Sequence, residues 1–138
     1  MGRASTERVA LMSIHPEYAE AIFRGAKTVE FRKRRLAADI KTVIVYATAP
    51  VSRVLGTFDI DEIVEDSPEE IWSRYGEHGV IEQTAFFNYY EGKKVAVAIV
   101  VDEATSFEEP LSLKEVEPNS TAPQSFAYLQ RDRLLVDA

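Results

Sequence analysis

One short stretch constrains the fold more than any other: Gly25-Ala26-Lys27-Thr28-Val29-Glu30-Phe31-Arg32-Lys33-Arg34-Arg35. A glycine able to take a left-handed turn precedes a segment whose side chains alternate in kind. Read as a strand over 27–34, Lys27, Val29, Phe31 and Lys33 point one way, and Thr28, Glu30, Arg32 and Arg34 point the other. Val29 and Phe31 then belong to a core. Glu30 and Arg32 project from the opposite face, into the polar concavity that an open barrel or curved sheet retains. Lys27 has the core's parity, so it joins them only at the strand's mouth, where the turn after Gly25 frees its stem to bend round.

The charge of this stretch runs against that of the chain. From Arg24 to Arg35 there are six basic residues and one acid, a net of +5, whereas the whole chain carries −7 and the remainder therefore −12. A local positive zone on an acidic body marks where an anion is received, because the like charges repel unless something compensates them. A solvated edge strand, whose basic side chains discourage aggregation, accounts for the same residues without a ligand.

At 138 residues the chain has room for one domain with a proper core, predicted here to span 1–138 with its core over roughly 9–129. The absence of cysteine excludes disulfides, thiolate metal sites and a thiol nucleophile. His15 and His78 stand far apart and lack ligand spacing, so neither a metal nor another cofactor is expected. No apolar run approaches the roughly 20 residues that cross a bilayer, and the polar segment Met1–Arg8 has no signal-type apolar core after it. The predicted location is cytoplasmic. With so acidic a body, any nucleic-acid contact must be local to the basic segment.

Taken in order, residues 8–14 suit a buried first strand, stopped at His15-Pro16. Tyr18, Ala19, Ile22 and Phe23 recur at helical spacing until Gly25 caps the element. Residues 41–47 are β-branched and strand-like, broken by Thr48-Ala49-Pro50. Residues 52–65 alternate as a long strand with a bulge or bend at Gly56. Asp66-Ser67-Pro68-Glu69-Glu70 opens a helix, and Ile81 to Tyr90 forms another, in which Phe86, Phe87, Tyr89 and Tyr90 read as core by their spacing although aromatic rings also stack bases. A strand over 93–101 and an irregular stretch to Lys114 follow, then a loop and a short terminal helix over 124–129. Some six strands and three or four helices in mixed order indicate an α+β fold built on a small open β-barrel with flanking helices.

The order of landmarks resembles the ASCH domain family of PUA-like barrels. The specific part is the signature met by Gly25, Lys27, Glu30 and Arg32, flanked by Ser13-Ile14-His15-Pro16, Tyr46-Ala47-Thr48-Ala49-Pro50, the Gly56 strand and Ala122-Pro123-Gln124-Ser125-Phe126. The resemblance implies a barrel beside a helix, a cleft between them, and RNA binding in the control of transcription or translation. Some members of that family resemble enzymes: amidohydrolases acting on acylated cytidine-type nucleosides, and ribonucleases. In the amidohydrolases a lysine, a threonine three residues on and a distant glutamate do the work. Lys27 matches the lysine, but Glu30 stands where the threonine would be, and an ionised carboxylate has no hydroxyl proton to give up. Glu65, Glu69, Glu70 and Glu82 offer no clear counterpart to the distant glutamate.

A cleft that takes RNA, a nucleotide or a modified nucleoside would use these residues in distinct ways. Lys27 and Arg32 meet phosphate, and Glu30 accepts from an exocyclic amine or a ribose hydroxyl. Tyr46, Phe126 and His15 offer stacking faces; Ser13, Thr48, Gln124 and Ser125 offer short hydrogen bonds. Lys33, Arg34 and Arg35 form a basic rim that steers a polyanion. In a hydrolase, Lys27 and Glu30 become the catalytic pair. Without a ligand, Glu30 and Arg32 make a structural ion pair, His15 caps its helix, and the acidic surface serves as a protein contact.

Overall fold

Strand β1 (Arg8–Ile14) is buried on both faces, which explains its unbroken apolar run. Val9 and Leu11 pack with Ile44, Val54 and Val116, whereas Ala10, Met12 and Ile14 enter the main core with Val45 and Phe58. The computed structural model describes residues 7–138; the polar opening segment 1–6 of the predicted domain lies outside the described residues. Helix α1 (Pro16–Arg24) starts on a proline, buries Ala19, Ala21 and Ile22, and ends at Gly25, whose φ of 83° is left-handed.

Strand β2 (Val29–Arg32) is shorter than the predicted 27–34, because the chain bends at Lys33 and Arg34. Strands β3 (Thr42–Ala47) and β4 (Arg53–Asp66) follow, with a register shift between Val54 and Gly56 where the bulge was expected. Helix α2 (Pro68–Tyr75) is capped by the Ser67 side chain, which accepts from the Glu70 amide. It precedes α3 (Gln83–Tyr89), β5 (Ala96–Leu111), the single turn α4 (Leu113–Val116) and β6 (Phe126–Gln130).

Two expectations need correction. Residues 126–130 are a strand, not a terminal helix: they pair antiparallel with β1 from Met12↔Phe126 to Arg8↔Gln130, giving that strand its second neighbour. The irregular stretch after 101 is instead the continuation of β5, because the fourteen-residue β4 offers it a partner along almost its whole length. Nonlocal pairing decided both.

The six strands form one mixed sheet in the order β2-β5-β4-β3-β1-β6, with β1 and β3 parallel and the other pairs antiparallel. Helix α1 covers one side, through the core of Met12, Ile22, Val45 and Phe58. Helices α2 and α3 supply Ile71 and Phe86, and the α3 C-cap residue Tyr90 joins them, in a second core with Val29 and Phe31. Among the described residues, no backbone ladder joins the two edge strands. Instead Arg32 on β2 donates to the Ser13 carbonyl near the end of β1 (3.3 Å) and to the Ser125 hydroxyl just before β6 (2.6 Å). The result is an open barrel whose gap is spanned by side chains: the Arg32 guanidinium, the Arg34 guanidinium over the Phe126 ring, and the Tyr128 hydroxyl, which accepts from the Ala37 amide. Among the described residues, no helix is long and apolar enough to cross a membrane.

Candidate functional site

The alternation in β2 sorts its side chains as a strand must: Val29 and Phe31 go to the second core, Glu30 and Arg32 to the opposite side. The left-handed turn at Gly25 returns the chain so that the Ala26 and Lys27 amides both donate to the Ala21 carbonyl. Lys27 therefore sits at the strand's mouth, and its stem bends toward Glu30. Its Nζ lies 3.4 Å from Glu30 Oε1, donates to the Gly79 carbonyl at 2.6 Å, and stands 5.0 Å from the centre of the Tyr18 ring. The other Glu30 oxygen accepts from Arg32 Nη1 at 3.0 Å. One carboxylate thus bridges two cations, with side-chain exposures of 3% for Lys27, 7% for Glu30 and 11% for Arg32. The structural ion pair and the polar concavity are the same object.

Burial holds the Lys27 ammonium below the usual lysine range, against the attraction of Glu30, which acts to raise it. Arg32 is fixed by Ser13, Ser125 and Glu30, and its own carbonyl accepts from the Tyr90 hydroxyl at 2.7 Å. Its Nε is buried without a partner among the described residues. Ser13 and Ser125 are themselves tied together: the Ser13 amide donates to the Ser125 carbonyl, and the Ser13 hydroxyl to that of Pro123.

The far wall is the loop between α2 and α3. The Thr28 amide donates to the His78 carbonyl, and Gly79 lies so close to Phe31 that an added Cβ would come within 2.2 Å of the ring. Val80 follows with φ of 54°, a left-handed conformation rare for a β-branched residue. Strain of this kind is held only where the surroundings over-determine the backbone, and here the Lys27 ammonium grips the preceding carbonyl.

These elements enclose a cavity of about 680 Å³, within the range that takes small ligands. It brings together Lys27, Glu30 and Arg32 with Ser13, His15, Thr48, Gln124 and Ser125, and with Lys33 and Arg34 of the predicted rim. His15 is at the N-cap position of α1 but makes no capping bond with its side chain. Tyr46, Phe126 and Arg35 do not line the cavity. Tyr46 packs beside the cluster of Val9, Ile44 and Val54, and Phe126 packs on the main core with the Arg34 guanidinium 4.9 Å from its ring centre. Sequence reasoning missed Tyr18, Ile81, Tyr89 and Lys93, which line it together with the core residues Ile14 and Phe31. For Tyr89 the signal was present in the aromatic run of α3, but helical spacing alone assigns that run to the core. Five cations and one carboxylate face this space in a chain of net charge −7. Among the described residues, no three histidine or carboxylate side chains group as a metal site.

The arrangement offers buried donors for a phosphate, a carboxylate acceptor, and aromatic and aliphatic walls. A model of the ASCH domain matches residues 12–117. An ASCH domain-containing ribonuclease of Zymomonas mobilis is 35% identical over 127 residues, covering 89% of this chain and 85% of that protein. The crystal structure of ASCH from Zymomonas mobilis superposes with a TM-score of 0.83 at 33% identity, covering 91% of this chain and 90% of the other. The large ribosomal subunit protein uL22 of Ureaplasma parvum is 31% identical over 91% of this chain, a match that covers 40% of its own length.

Proposed function

This chain belongs to the ASCH domain family, and we propose that it binds single-stranded RNA in the cavity between α1, β2 and the segment before β6. The observation that carries the reading is the buried Lys27–Glu30–Arg32 network opening onto a cavity ringed by Lys33, Arg34 and Lys93. An unpaired nucleotide fits such a hollow, whereas a duplex keeps its bases stacked and inaccessible. Arg32 and Lys27 receive a phosphate, Glu30 accepts from a base amine or a 2′-hydroxyl, and the rim draws in the rest of the strand. The same pocket admits a free nucleotide or modified nucleoside as a competitor. RNA as the ligand fits a cytoplasmic setting and a part in controlling transcription or translation.

A second reading, strand cleavage, is favoured by the ribonuclease relative and by the lowered pKa of Lys27. Glu30 would take the proton of a 2′-hydroxyl while that oxygen bonds to the adjacent phosphorus. The bond from phosphorus to the 5′-oxygen breaks, and Lys27 supplies the proton that the departing oxygen needs. Arg32 holds the charge developing on the phosphoryl oxygens, and the products are a 2′,3′-cyclic phosphate and a 5′-hydroxyl.

Fluorescence anisotropy with a labelled RNA 8-mer tests binding, and gel analysis of the same samples tests cleavage. Affinity is expected to fall as salt rises, and to be mostly abolished in a Lys27→Ala/Arg32→Ala variant whose melting curve shows it folded. Glu30→Gln should bind within a few-fold of the parent while losing any cleavage. Failure of the parent to bind RNA even at low salt would sink both readings.

A further inference from the structure

The ring of Tyr89 is an aromatic surface of the cavity that the roles above leave unused. Phe86 of α3 and Tyr90, the residue that caps the helix, are one turn apart and buried, so that face meets the core; Tyr89 falls off that face and is 37% exposed. It borders the cavity that also holds Glu30 and Arg32. The ring is braced by Tyr90, whose centroid is 4.8 Å away at 73°, and it carries Lys33 Nζ 4.6 Å from its own centre. Lys33 is exposed and lies in the bend after β2, so it can leave the ring for a phosphate at little cost in packing. Lys93, in the turn that follows α3, stands at the same opening. A partly exposed ring covered by a displaceable lysine, between two long-stemmed cations and the buried Arg32 guanidinium, has the layout of a stacking platform for a nucleic-acid strand.

We infer that Tyr89 is the base-stacking residue of this site, so that its substrate class is a strand bearing at least one unstacked nucleobase next to the phosphate held by Arg32. The inference rests on the RNA reading above and adds to it a claim about bases. Stacking accepts any base, so Tyr89 confers preference for unpaired over paired strands and little choice among the four bases.

The test compares three probes, an oligouridylate 8-mer, an abasic 8-mer of the same charge, and inorganic polyphosphate, against the parent, Tyr89→Phe, Tyr89→Leu and Tyr89→Ala. The Leu variant keeps apolar bulk without a π-face. The parent and Tyr89→Phe should bind oligouridylate alike, while Leu and Ala weaken it about five- to a hundredfold. Binding of the two baseless probes should stay unchanged in all four proteins. The slope of log affinity against log salt should be equal in the parent and Tyr89→Ala, because a stacking interaction releases no counterions. Equal weakening of all three probes in Leu and Ala would mean that the ring merely shapes the cavity, and no weakening of any would mean that it is idle; each overturns the assignment. Parent protein that binds the baseless probes but not oligouridylate also overturns it. Parent protein that binds none of the three removes the RNA reading itself.

Discussion

Lys27, Glu30 and Arg32 differ from Lys33 and Arg34 by only a few positions, yet they belong to different physical regimes. The inner three are nearly excluded from water and are bonded to one another and to the Gly79, Ser13 and Ser125 groups. The outer two are exposed, each lying across an aromatic ring, Lys33 over Tyr89 and Arg34 over Phe126. Inside, effective dielectric is low and salt hardly penetrates, so each charge is costly to leave unpaired. Outside, water and ions screen the same charges within about 10 Å. One charged stretch of sequence can therefore combine a rigid buried network with a screened surface field.

The contrast can be broken most severely at Glu30. Glu30→Ala leaves two buried cations without their shared partner and should cost about 3–5 kcal/mol of stability in urea denaturation; a cost below about 1 kcal/mol would place these charges in the same regime as the rim. Next comes Gly79→Ala, whose new Cβ meets the Phe31 ring at 2.2 Å and displaces the carbonyl that receives Lys27. A cost of about 1–3 kcal/mol is expected, together with weaker RNA binding although residue 79 carries no charge.

Removing the rim should do the reverse. In Lys33→Ala/Arg34→Ala, stability should move by no more than about 0.5 kcal/mol, while the salt slope of RNA binding flattens by about 1.4, roughly 0.7 for each single-strand phosphate that is no longer neutralised. An unchanged slope would show that the rim does not touch the strand. The smallest effect concerns protons. Burial lowers the Lys27 pKa in the folded chain below its ordinary 10.5, so on raising the pH the folded form releases that proton before the unfolded one. In that window the unfolded chain holds more protons, and the contribution of Lys27 to stability rises with pH. Denaturation of the parent and Lys27→Met between pH 7 and 10 should give a difference that grows in the parent's favour; a shrinking difference would reverse the assigned sign.

The legible parts of this molecule are those governed by local rules. Period-two alternation placed Glu30 and Arg32 opposite Val29 and Phe31, Gly25 announced its left-handed cap, and Gly56 its bulge. Residues 126–130 were misread because nothing within that segment reveals that β1 lacks a neighbour on one side. That Tyr89 and not Tyr46 lines the cavity was hidden for a similar reason. Both are aromatic and both border apolar runs, but which one meets the cavity depends on how α3 is set against β2, a fact held in no single stretch of chain. Lys27 was legible only conditionally, since its parity is wrong for the site and the bend after Gly25 corrects it.

A barrel closed by backbone pairing has its girth set by strand number and stagger. Here the last seam is laced by the Arg32 side chain, reaching from β2 to the residues around β1 and β6. The width of the mouth accordingly follows the reach of side chains, Arg32 foremost with Arg34 on Phe126 beside it, and not the ladder, so a shorter cation at position 32 would reshape the entrance while every strand kept its register.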